Sequence, residues 1–157
     1  MLKFRHGGEM KIFVDCDAMP RPLKKVLCTV AEREEIKTIF AAAVKPRIEE
    51  SDFIQSVGVG NDFDGADNWI VEHVESSDLV ITADIQFADR AIAKGAAVLN
   101  TKGEFFTPEN IKDAMAMRKL MDELRVSGEI VGGPAPFSDK MRIQFINALN
   151  RCIQKKK

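Results

Sequence analysis

The sequence predicts an α/β protein, a three-layer α/β/α arrangement with a mostly parallel sheet of about five strands. Two observations carry this. Short β-rich apolar runs alternate with longer stretches whose apolar residues recur at helical spacing, and the longer stretches carry helix start and stop signals. Strand, helix, strand in alternation is the pattern of a parallel sheet covered on both faces.

The strands are expected at 11–15, 38–44, 55–59, 78–82 and 96–99. Between the first two, "RPLKKVLCTVAERE" sets Leu23, Val26, Leu27 and Val30 at helical spacing, with Pro22 tolerated in the first turn, and predicts a helix over 22–34. "GADNWIVEHVES" places Trp69, Ile70 and Val74 on one helical face, and "IQFADRAIAKG" ends at Gly95, a residue suited to closing a helix. "TPENIKDAMAMRKLMDELRVSG" reads as a long amphipathic helix with Thr107 as cap, Pro108 at its first position and Gly128 at its end. "SDKMRIQFINALNRCIQ" is the last helix, capped by Ser138. No repeat or linker interrupts the pattern, so residues 10–153 are expected to form one domain behind a flexible extension over residues 1–9. Met10 directly precedes the first strand, and codons for Gly7, Gly8 and Glu9 can spell a ribosome-binding sequence; translation is therefore expected to start at Met10, which the intact mass of the native protein checks.

With 157 residues the chain can bury one sizeable core. A net charge of −1 argues against a grip on nucleic acid by bulk charge, so any polyanion is expected to be held locally. Three cysteines without CxxC spacing suggest reduced thiols, a cytoplasmic location and no zinc ribbon. No apolar run approaches the ~18 residues that a membrane helix needs, so no membrane partner is expected.

The informative stretch is "VDCDAMP". Asp15 and Asp17 end an apolar strand one residue apart, and strand geometry projects them to the same side, away from Cys16. Two carboxylates at ~4 Å repel by about 4 kcal/mol at an effective dielectric of ~20, so water, a proton, a basic group or a metal ion must offset them. "LVIT" ends in Ala83 and Asp84, with Asp89 a turn or so later; "NDFDGADNWI" brings Asp62, Asp64 and Asp67 towards a helix start. Ligands of open parallel sheets bind at the carboxyl ends of the strands, where these acids gather. Hard oxygen donors of this kind suit Mg²⁺ or Mn²⁺. Any one of Asp64, Asp67 and Asp89 can also be read as a helix-start or solvated residue, and Asp78, at the wrong end of its strand, as structural.

"IFVDCDAMP", "AER", "DFDGADNWIVE", "DLVITADIQFA", "KGAAVLNTKGE", "LMDELR", "GGPAPFS" and "FINALNR" resemble, in order and over nearly all of 10–151, the bacterial YaiI/YqxD family. That family in turn resembles the PIN-like and NYN nuclease domains. The resemblance implies a PIN-like fold, with Asp15, Asp67 and Asp84 where those nucleases place metal-binding acids and Asp17 and Asp89 as companions. The chain departs from the commoner family pattern at Cys16, Met19, Gln86, Phe87 and Lys102, and none of these changes removes an acid.

The expected function is a metal-dependent phosphodiesterase acting on RNA or single-stranded nucleic acid. Asp15, Asp67 and Asp84 would be catalytic, and Asp15, Asp17, Asp67, Asp84 and Asp89 would be the pool of ligands for Mg²⁺ or Mn²⁺. Substrate phosphates would meet Lys102, Arg118 and Arg125, and the backbone at Gly132 and Gly133 in "GGPAPF". His73 is expected to pack rather than to ligate, and Met115, Met117 and Met121 to fill core. Two rival readings stand beside this one. "VDCDAMP" also resembles the start of haloacid-dehalogenase-like phosphatases, in which Asp15 would be the nucleophile, and the acids could instead hold a structural cation in a non-catalytic RNA- or protein-binding module.

Overall fold

A computed structural model describes residues 9–17, 19–60, 65–132 and 136–156; the extension expected over residues 1–9 lies, apart from Glu9, outside them. In chain order the elements are β1 (Ile12–Asp15), α1 (Arg21–Glu34), β2 (Thr38–Ala42), β3 (Ile54–Gly58), α2 (Gly65–His73), β4 (Leu79–Ile81), α3 (Ile85–Ala93), β5 (Ala97–Leu99), β6 (Phe105–Phe106), α4 (Ile111–Val126) and α5 (Asp139–Lys156).

The strands form one sheet in the order β3-β2-β1-β4-β5-β6. β1 to β5 are parallel, and only β6 runs antiparallel, pairing Leu99 with Phe105 and Val98 with Phe106. This sixth strand was not expected; two residues are too short to show a periodicity.

Successive side chains point to opposite faces and both faces of the central strands are covered, so β1, β2 and β4 are almost wholly buried, while Gln55 and Gly58 of the edge strand β3 are exposed. Ile12 and Val14 join Phe40, Leu79 and Ile81 beneath α1 and α5, where Leu23, Leu27, Phe145 and Leu149 complete one core. Phe13 joins Ile39, Val80 and Val98 on the other face, beneath Ile70 of α2, Phe87 of α3 and Ile111 of α4. The crossover β1-α1-β2 moves one way along the sheet and β4-α3-β5 the other. A single crossover hand therefore places α1 and α3 on opposite faces.

The helix signals are mostly realised. Ser138 Oγ accepts from the Met141 amide at 3.2 Å, as an N-cap does. Both α3 and α4 close with paired bonds: Gly95 N–H to Ile92 O with Ala96 N–H to Ala91 O, and Gly128 N–H to Arg125 O with Glu129 N–H to Leu124 O. α4 starts later than its sequence suggests. Thr107 Oγ1 accepts from the Asn110 amide and Asn110 Oδ1 from the Thr107 amide, and this reciprocal pair makes a separate turn ahead of Ile111. The methionines of α4 also depart from expectation: Met115 packs on the core, but Met117 is 58% exposed. His73 stacks on Trp69 at a centroid distance of 4.1 Å, a packing role as expected.

Asp78 is fully buried and structural. Its carboxylate accepts from the Lys11 amide at 3.0 Å and the Glu75 amide at 2.9 Å, tying the start of β1 to the turn before β4. Among the described residues no helix is long and apolar enough to cross a membrane.

Gly103, in the turn after β5, has φ +86°, and a Cβ there would lie 2.6 Å from the Gln144 backbone of α5. Gly103→Ala is therefore expected to destabilise by about 2–4 kcal/mol, combining left-handed strain with overpacking. Gly128→Ala, at φ +82° in open space, should cost only about 1 kcal/mol. Urea unfolding midpoints of the two variants check the ordering, and equal midpoints would count against it.

Candidate functional site at the carboxyl edge of the sheet

β1 lies between β2 and β4, and the chain leaves β1 and β4 towards opposite faces. Loops that diverge in this way open a crevice outside the strand ends, the usual ligand position in open α/β sheets. The register Val14 to Ile81 puts residues 15 and 82 side by side at the mouth of the crevice.

There the Thr82 hydroxyl donates to Asp15 Oδ2 at 2.9 Å and accepts from the Asp84 amide at 3.0 Å. Thr82 is fully buried, so one hydroxyl links the ends of two central strands. In the sequence Thr82 reads only as the last residue of a strand. The available signal was a hydroxyl residue placed two before an acid at a helix start.

Asp84 caps α3: its Oδ1 accepts from the Gln86 and Phe87 amides at 3.0 and 3.2 Å. Arg118 of α4 approaches the same oxygen, Nη1 lying 3.8 Å away. The Asp17 amide points back to Asp15 Oδ1 at 3.4 Å, while Asp17 Oδ1 accepts from the Ala43 amide at 3.3 Å. Asp17 thus stands in the turn beyond the strand, exposed, and ties the loop after β1 to the loop after β2.

Burial raises the Asp15 pKa above the ordinary carboxylate value. The bonds from Thr82 and the Asp17 amide oppose this, and the charges of Asp17 and Asp84 push it further up. The neighbouring thiol, Cys16, faces the α1 core and is pushed up to about 12, chiefly by burial, which leaves it no thiolate with which to act.

The other expected site residues divide. Asp67 is half-buried in the first turn of α2, at this same edge, and has an interaction of its own. Asp89 is exposed on α3. Lys102 is exposed in the turn after β5, again at the carboxyl edge, its amide donating to Asn100 Oδ1 at 2.8 Å. Arg125 is engaged elsewhere: Nε donates to Gly132 O at 2.9 Å and Nη1 to Asp122 at 3.2 Å, which pins the loop after α4. Gly132 is exposed and presents that carbonyl to Arg125, while Gly133, Asp62 and Asp64 lie outside the described residues. Beside Asp84, a groove of about 690 Å³ runs between the start of α3 and α4, lined by Ile85, Gln86, Met115 and Arg118 among others.

Among the described residues no group of three or more His, Cys, Asp or Glu is arranged to hold a metal ion. Mg²⁺ and Mn²⁺ sites of the phosphate-handling kind take one or two carboxylates and complete their shell with water and substrate oxygens. The Asp15, Asp17 and Asp84 carboxylates are oxygen donors of that chemical class, and the charges of Asp17 and Asp84 act unfavourably on an ionised Asp15.

The raised pKa of Asp15 has a defined consequence for stability. A carboxyl with a higher pKa in the folded chain contributes stability below its unfolded pKa, ~3.9, and loses it as pH rises through the folded value. Asp15→Asn is therefore expected to raise Tm at pH 7, with the Asn carbonyl still accepting from Thr82, and the gain should fade towards pH 3. Each ~1 kcal/mol corresponds to about 2–4 °C in a domain of this size. A thermal-melt series from pH 3 to 7 on both proteins gives the answer, and a variant less stable at pH 7 would contradict it.

Residues 13–155 match the model of the family described as "Uncharacterized BCR, YaiI/YqxD family". The chain is 46% identical over 144 residues to a UPF0178 protein of Maridesulfovibrio salexigens, covering 92% of this chain and 95% of that one. It is 48% identical over 144 residues to a UPF0178 protein of Shewanella amazonensis (92% and 97% covered), and 44% identical over 146 residues to one of Marinobacter nauticus (93% and 97%). No solved structure matches the chain at a significant level. An end-to-end family match and close relatives of the same length agree with the motifs that frame the Asp15–Thr82–Asp84 edge: the chain belongs to the YaiI/YqxD family.

Proposed function

We propose that the protein is a Mg²⁺- or Mn²⁺-dependent phosphodiesterase acting on RNA or single-stranded nucleic acid, with its centre at the crevice between β1 and β4. One observation carries the reading: a buried hydroxyl, Thr82, fixes Asp15 and the backbone of Asp84 to each other across that crevice, with Asp17 alongside. Acids held in this way meet the substrate without first having to be ordered.

Asp15 and Asp84 would hold the ion, with Asp67 and Asp17 as companions; Asp89, on the solvent face of α3, is not part of this set. Such an ion lowers the pKa of bound water and neutralises charge at the leaving oxygen. The chain's own residues supply the frame. Thr82 fixes the Asp15 carboxylate, two α3 amides hold Asp84 Oδ1, and Arg118 beside Asp84 and Lys102 in the turn after β5 would offer cations to the phosphate.

Purified protein with Mn²⁺ is expected to cut labelled single-stranded RNA and to stop in EDTA. Asp84→Asn keeps the α3 cap, since Asn serves there as well as Asp, and should lower cutting by about 100-fold or more with the circular dichroism spectrum unchanged. Failure of the wild type to cut any single strand with either metal, or full activity in Asp84→Asn, would overturn the reading. Release of phosphate from small monoesters with covalent trapping on Asp15 would replace it with the phosphatase.

A further inference from the structure

The molecule's charge is segregated. α1 and α5, which cover one face of the sheet, carry nine of the 23 basic and three of the 24 acidic side chains. The two helices therefore hold +6 and the rest of the chain −7 of the total of −1. A polyanion would meet opposite fields on different parts of this protein.

An open groove of about 310 Å³ runs between these helices, with Lys25, Val26, Val30, Arg33, Arg142 and Ile146 in its lining. Three of these residues are cations and none is acidic. Val30 is buried and Val26 and Ile146 are half-buried, while Lys25 and Arg33 are exposed and Arg142 is half-buried. Arg33 pairs with Glu34 at 3.0 Å and reaches Asn150 at 3.4 Å, and Arg142 lies 3.6 Å from the open carboxylate of Asp139. Exposed pairs of this kind are weak and exchange readily for another anion.

The groove begins at the same edge of the sheet as the candidate site. α1 starts at the carboxyl edge, six residues after Asp15, and the charge of Lys24 acts on the adjacent Cys16. Gly103, in the turn at the same edge, packs on Gln144 and Phe145, so the first turns of α5 lie there too. From that end the groove runs back to Arg33 and Asn150.

We propose that the α1–α5 groove binds the phosphate backbone of single-stranded RNA through Lys25, Arg33 and Arg142 and leads the strand to the Asp15 crevice. The destination rests on the nuclease reading; the binding does not. Among the described residues no aromatic side chain lines the groove, so base stacking adds little and affinity depends on salt rather than on sequence.

The test uses fluorescein-labelled oligouridylate in EDTA, with anisotropy followed against NaCl. Lys25→Glu combined with Arg142→Glu should weaken binding at 50 mM salt by about tenfold or more and flatten the log–log salt slope by about 1.4, two contacts at ~0.7 each. Lys37→Glu with Lys112→Glu, the same charge change on exposed residues outside the groove, should have much the smaller effect. Equal losses in the two double variants, no loss in the groove variant, or binding only to phosphatidylserine vesicles and not to the oligonucleotide would each overturn the proposal. Groove-dependent binding without Mn²⁺-dependent cutting would sink the nuclease reading alone; cutting with a groove-independent affinity would sink the groove alone.

Discussion

The central pair of strands sets the terms for everything around it. β1 and β4 are buried on both faces, so Phe13, Val14, Val80 and Ile81 have no contact with water, and the first polar side chains past their ends must be satisfied where they emerge. The Thr82 hydroxyl meets this requirement: it donates to one strand end and accepts from the other, and the carboxylate of Asp15 is stationed at the crevice rather than turned away from it. The same constraint shapes the electrostatics, since partial burial of that carboxylate beside Asp17 and Asp84 raises its proton affinity. Fold and candidate chemistry meet in one hydrogen bond.

Most of the fold was legible because both periodicities in the chain are strong. Leu23, Leu27, Val30 and Ala31 form the buried stripe of α1, and the apolar runs of β1, β2, β4 and β5 leave only end residues in doubt, whereas β3, with Gln55 exposed and Ser56 buried, carries a weaker pattern. Where local patterns are weak, the sequence said less. β6 is two residues held by pairing with β5, a contact set by tertiary structure alone. The start of α4 was misplaced because Thr107 and Pro108 look like a helix opening, whereas the Thr107–Asn110 side-chain exchange spends its bonds on a turn.

The site was legible in part, and the division has a physical reason. An acid ending an apolar strand is conspicuous because burial makes it costly, which singled out Asp15 at the end of the first strand and Asp84 just past "LVIT". Partners are not conspicuous. Nothing in the sequence showed that Arg125 reaches the Gly132 carbonyl while Arg118, two turns earlier, lies near Asp84, since both share one helix face. Nor did charge counting reveal the basic face, because a total of −1 hides a separation that appears only once α1 and α5 are seen side by side.

α4 has a consequence of another kind. Of its 16 residues only Ile111 is fully buried, and Leu120 and Val126 are 47% and 90% exposed. A helix that buries so little is expected to open at a fraction of the free energy of global unfolding, with its amides exchanging faster than those of the core strands. Arg118 travels with it, so undocking removes the guanidinium from Asp84 and bares one wall of the α3–α4 groove at the same moment. Opening of this one helix would therefore make the edge around Asp84 more negative without any change of sequence or pH.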